Sequence, residues 1–169
     1  MPTPPALFRA LLRSALPCAA DFARQTQAAI VLDFGPVSLP AMDGLIIQDG
    51  MQGDLCAPRP CLAVCSFGLS LLSEHELASR LDALHAAAEH VMFLEFKMPE
   101  RNLELPSCLL LSGLRRLYGQ KDCALQTMHG LEGLLWRESA RFQPVERRTL
   151  LGGGLLCVLA MCLHHEENA

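Results

Sequence analysis

The spacing of apolar and polar positions divides the chain into segments of two different periods. Leu7, Leu11, Leu12 and Ala15 recur at helical spacing and predict an amphipathic first helix. Pro17 resets or kinks it, and Phe22 and Ala23 continue it toward Gln27. Residues 28–34 read as a short, continuously apolar strand, as expected where both faces of a sheet are covered. Leu45-Ile46-Ile47 is a second candidate strand, ended by Asp49-Gly50. Residues 51–60, with Gly53, Pro58 and Pro60, read as loop, and Cys61-Leu62-Ala63-Val64-Cys65 as a third apolar strand.

Ser73-Glu74-His75-Glu76 then forms a capping box. In this motif the Ser73 hydroxyl accepts from the Glu76 amide, and the Glu76 carboxylate accepts from the Ser73 amide. Leu77, Leu81, Leu84 and Ala88 make one apolar stripe behind it. HVMFLEF, residues 90–96, predicts a strand that ends before Pro99. Residues 101–120 are mixed, with a short helix around 109–117. Asp122 can cap a further helix with Leu125, Met128, Leu131 and Leu135 on its buried side. PVERRTLL, Gly152-Gly153-Gly154 and LLCVLAMCL read as two strands joined by a tight glycine turn. Strands alternating with helices, then a terminal hairpin, predict an α/β domain with a mostly parallel sheet and one antiparallel strand at the end. No repeat or low-complexity segment interrupts the pattern, and the tail, 164–169, reads as disordered.

Composition narrows this picture. The chain's 169 residues suit one well-buried domain and are few for two. Hydrophobic residues make up 51% and aromatics only 5%, so the core is expected to be aliphatic. A net charge of −4 leaves no basic stripe for nucleic acid. No apolar run approaches the roughly 18 residues that span a bilayer. Arg9 and Arg13 interrupt the first apolar stretch and favour an amphipathic helix over a signal peptide. The eight cysteines sit inside apolar runs, as at Cys108 and Cys157, like buried thiols in a cytoplasmic protein and unlike a disulfide framework. Cys56, Cys61 and Cys65 match neither zinc nor iron–sulfur spacing, and Cys162, His164 and His165 lie at a polar tail, so no metal is expected.

Three segments, in order, resemble class I S-adenosylmethionine-dependent methyltransferases. Ile30-Val31-Leu32-Asp33-Phe34-Gly35 looks like the start of that family's first motif, V-L-D-x-G-x-G. Residues 61–101 resemble its fourth strand, the loop after it, the next helix and the fifth strand. Residues 130–160 are similar to its last helix and its sixth and seventh strands, where a hairpin inserts the seventh strand antiparallel to the rest. The resemblance implies one domain over 1–169, opening with a helical segment at 1–27. Its implied fold is a Rossmann-like three-layer α/β sandwich whose sheet is mostly parallel, with an antiparallel C-terminal strand.

Two departures bear on function. The family's first loop carries three glycines and feeds a helix, so that backbone amides and a helix N-terminus approach the cofactor. Here only Gly35 remains, and Pro36 also removes an amide. The family then places an acid-ended strand, a helix and another strand before its fourth strand. This chain has only residues 36–60 for all of that, so part of the usual N-terminal half is missing.

The resemblance implies S-adenosylmethionine against Asp33, Gly35, Asp49, Ser66, Phe67 and Gly68, with Asp54 a further acid in reach. Read without it, Asp33 to Gly35 is an ordinary strand-end turn. Ser66 to Gly68 is then a strand-to-helix turn at the edge where open α/β sheets place ligands. Glu95 either faces the same crevice or pairs with Lys97 or Arg101. Tyr118 and His129 fall in the segment that helps to cover the acceptor in small-molecule methyltransferases. His75 reads as a surface helix residue, and His90 sits at the opposite strand end. Methyl transfer depends on alignment of the reacting atoms, so no catalytic residue is assigned.

The expected function is methyl transfer to a small molecule. The alternative is a catalytically inactive methyltransferase-fold protein that serves as a partner subunit or binding module, and a third reading is an unrelated flavodoxin-like domain. The apolar excess, and a sheet surface left open by the missing unit, predict a homodimer or a partner protein.

Overall fold

A computed structural model describes residues 6–35, 38–50, 61–69, 72–97 and 128–163. Its elements are α1 (Ala6–Gln25), β1 (Ile30–Asp33), β2 (Ile46–Asp49), β3 (Cys61–Ser66), α2 (Glu74–Ala87), β4 (His90–Phe96), α3 (Gly130–Arg137), β5 (Phe142–Leu150) and β6 (Leu155–Cys162). The strands form one sheet in the order β2-β1-β3-β4-β6-β5. β2, β1, β3 and β4 pair in parallel, whereas β6 runs antiparallel to both β4 and β5. The chain is thus a Rossmann-like α/β sandwich with one reversed strand near its C-terminus.

The continuously apolar strands are those covered on both faces. Every residue of β1 and β3 is buried, and all of β4 beyond His90. One face packs Val31, Leu62, Val64, Met92 and Leu94 against Leu12, Ala15, Ala19 and Phe22 of α1. The other packs Leu32, Ala63 and Phe93 against Leu77, Leu81 and Leu84 of α2 and Leu131, Leu134 and Leu135 of α3. β5 lies at an edge and alternates partly buried with exposed residues, as an edge strand with one free face does. Its turn into β6 is a 3₁₀ turn, Leu151–Gly153, in which Gly152 takes φ 65°.

One expectation about helices holds and one is corrected. α1 continues through Pro17 to Gln25 as one helix, so Pro17 does not reset it. A proline removes one intrahelical hydrogen bond. Here Ala15 before it and Cys18, Ala19 and Phe22 after it bury on the same face, which favours keeping the helix whole. The helix carrying Leu131 and Leu135 begins at Gly130, not near Asp122. His129 at φ 59° and Gly130 at φ 82° are left-handed, so no α-helix runs through them. The expected cap at Asp122, Leu125, the helix around 109–117 and the tail lie outside the described residues.

The connection from β1 to β2 shapes the site. Its described part, residues 38–45, holds no helix. Leu39 is buried in the α1-side core, with Met42 and Leu45 partly buried beside it, so irregular chain covers this end of the sheet. Among the described residues no helix is long and apolar enough to cross a membrane.

Candidate functional site

Parallel strands deliver their carboxyl ends to one edge, and the strand order selects a point on it. β1 lies between β2 and β3, so the chain leaves β1 to one side and later returns on the other. Open α/β sheets bind ligands at such a switch point. The buried polar side chains among the described residues are Asp33, Ser66 and Glu95, which lie at the carboxyl ends of β1, β3 and β4. Sequence reasoning named all three.

Asp33 is engaged by its own loop. Its Oδ1 accepts from the Gly35 amide at 2.9 Å and its Oδ2 from the Leu39 amide at 2.7 Å. Burial raises its carboxyl above the usual carboxylate value. The two amides oppose that rise, and the Asp49 charge adds to it. Asp49 is Asp33's register partner at the exposed end of β2.

Gly35 rests directly on the β3 end. A Cβ there would lie 2.3 Å from the Ser66 hydroxyl oxygen and 3.1 Å from the Ser66 carbonyl oxygen. The loops after β1 and β3 therefore close on each other, over a buried Ser66 hydroxyl that has no hydrogen-bond partner.

Phe67, at φ 54°, turns its ring into the α1-side core, 5.0 Å from Phe96. Its amide donates to Leu94 at 2.7 Å, and Gly68 is buried behind it. Glu95 shares the edge but not the face. Strand alternation puts it on the α2 side with Phe93, while Asp33 and Ser66 follow Val31 and Val64 on the α1 side. Glu95 Oε1 accepts from the Leu69 amide at 2.8 Å and ties down the loop after β3. Burial, then the Glu95 charge, pushes the Cys65 thiol well above its ordinary value, so Cys65 is no thiolate nucleophile.

Open space lies on the α2 side of this edge. A groove of about 610 Å³ runs between Phe34 and Gly50, after β1 and β2, and the first half of α2, where Leu72, His75, Glu76 and Arg80 line it. Arg80 lines it and donates from Nη1 to the Phe34 carbonyl at 2.7 Å. One turn earlier on α2, Glu76 Oε2 accepts from the Ser73 amide at 2.8 Å and from its hydroxyl at 2.5 Å, completing the capping box.

Sequence reasoning missed Arg80, and no local signal marks it, because an arginine on the flank of an amphipathic helix reads as solvated. His75, read as a plain surface residue, lies on the groove wall. His129 is the exposed N-cap of α3 and is not part of the groove lining, and Tyr118 lies outside the described residues. His90 occupies the far end of β4 from Glu95. Cys61 and Cys65 are buried in β3 as free thiols, and Cys56 and Asp54 lie outside the described residues. Neither a protein-family model nor a curated protein matches this chain.

Proposed function

We propose that this chain is a methyltransferase-like domain that keeps the sheet but acts as a binding module, without S-adenosylmethionine-dependent chemistry. The strand order supports the methyltransferase-like part of the reading. β6 is reversed and inserted between β4 and β5, the same hairpin insertion that the sequence resemblance implies.

The observation that carries the non-catalytic part is the state of Asp33. Both of its oxygens are taken by amides of its own loop, and no helix follows in 38–45 to present an N-terminus to a cofactor. One observation favours the active alternative, methyl transfer to a small molecule: a buried, unpartnered Ser66 hydroxyl at the switch point. Exposed Ile46 on β2 and exposed Trp136 on α3 suit contact with a partner chain or a second copy, which light scattering tests.

Calorimetric titration with S-adenosylmethionine and its demethylated product decides between the two readings. The binding-module reading expects no heat at millimolar ligand from a folded sample. Micromolar binding that disappears in Asp33→Ala overturns it in favour of the enzyme.

A further inference from the structure

We infer that the groove between the β1 and β2 ends and α2 is a binding site for a small organic carboxylate, with Arg80 as its anchor. This goes beyond the proposed function and holds whether or not a methyl donor binds.

Among the described residues, Arg24, Arg137, Arg141, Arg147 and Arg148 each lie against a carboxylate. Arg80 does not. Its one hydrogen bond runs from Nη1 to a main-chain carbonyl, and the residue is only half-buried on the groove wall. A guanidinium has five N–H groups, so Nε and Nη2 remain to make the paired, parallel hydrogen bonds that arginine offers an oxyanion. The Phe34 bond holds the side chain in place in advance, which lowers the ordering cost of binding.

The surroundings select the ligand's charge and body. Glu76 stands on the same wall, and its bonds from Ser73 hold its carboxyl below the usual range, so it is ionised at neutral pH. Glu74 begins the same helix, and Asp49 stands exposed at the end of β2. Arg80 is the one arginine or lysine among the described lining residues, and a lone guanidinium among these carboxylates favours a ligand with a single negative charge over a phosphate dianion. Leu72 and Ala83 add apolar wall against which a hydrocarbon body packs. The buried acids nearby, Asp33 and Glu95, are already hydrogen-bonded to loop amides and do not occupy the guanidinium at contact distance.

The test is an amide NMR titration of the full chain at constant ionic strength with benzoate, benzamide and inorganic phosphate. Benzoate is expected to shift the Phe34, Gly50 and Ser79 amides saturably. Benzamide, the uncharged isostere, and phosphate bind at least about tenfold more weakly, and Arg80→Gln loses the benzoate response. Equal responses to benzoate and benzamide, a stronger response to phosphate, or unchanged benzoate binding in Arg80→Gln overturns the proposal. Where Arg80→Gln fails to fold, the three-ligand comparison on the parent chain still decides. A silent benzoate titration leaves the binding-module reading standing, and S-adenosylmethionine heat leaves the carboxylate site standing.

Discussion

Replacing Gly35 with alanine tests the closed contact between the loops after β1 and β3. The added Cβ meets the Ser66 hydroxyl oxygen at 2.3 Å, the Ser66 carbonyl oxygen at 3.1 Å and Asp33 Oδ1 at 3.2 Å. Gly35 is not among the glycines with positive φ, so alanine is compatible with its backbone. Restricting the unfolded chain then stabilises by about 0.4–1 kcal/mol. Overpacking a tight contact costs about 1–3 kcal/mol, so the net loss lies between about 0 and 2.6 kcal/mol. Ser66→Ala removes a buried hydroxyl that has no partner, and is neutral or mildly stabilising. In the double variant the nearest clash is gone and only the two longer contacts stay tight. Its stability therefore exceeds the sum of the single effects by about 1 kcal/mol.

Urea unfolding followed by far-ultraviolet circular dichroism measures all three variants, with slopes compared to check that the transition stays two-state. Fluorescence is the poorer probe, because the single tryptophan, Trp136, is already 82% exposed in the folded chain. A Gly35→Ala chain more stable than its parent refutes the close approach. Strict additivity in the double variant shows that the cost arises somewhere other than the Ser66 hydroxyl.

Three further outcomes follow from the same geometry. The folded state raises the Asp33 carboxyl above 3.8, so its stabilising contribution is complete below that pH and is lost as pH rises through the raised value. Wild type should lose ground to Asp33→Asn as pH rises above the ordinary carboxylate value, and a pH-independent difference between their unfolding curves contradicts the assignment. Ser73→Ala removes the cap of α2 and is expected to cost about 1 kcal/mol in the same urea assay; no change would mean that the capping box is not formed in solution. Leu84→Ala opens the α2-side core at a fully buried position, for a loss of about 2–5 kcal/mol, whereas an effect under about 1 kcal/mol would show that α2 is not packed there.

Local chemistry alone determined much of this protein. The capping box at Ser73 and Glu76 and the leucine stripe behind it needed only a serine hydroxyl, a carboxylate and the helical period. The apolar runs at 30–33, 61–66 and 90–96 became buried parallel strands because a segment apolar at every position has to be covered on both faces. The terminal hairpin was legible from its glycines. Asp33, Ser66 and Glu95 stood out in the sequence because each is polar at the end of such a run.

Tertiary structure decided what these residues do. Pro17 reads as a reset or a kink, and burial on both sides of it keeps α1 one helix, since packing outweighs one missing hydrogen bond. Two left-handed residues began α3 at Gly130, where the apolar spacing would have run through. Whether Asp33 waits for a ligand or fastens its own loop depends on where the amides of Gly35 and Leu39 come to rest, and composition carries no record of that. Arg80 is the plainest case. Only the docking of α2 beside β1 brings its guanidinium to the Phe34 carbonyl, with no ion pair to a carboxylate among the described residues, and so sets a surface arginine into the lining of a groove.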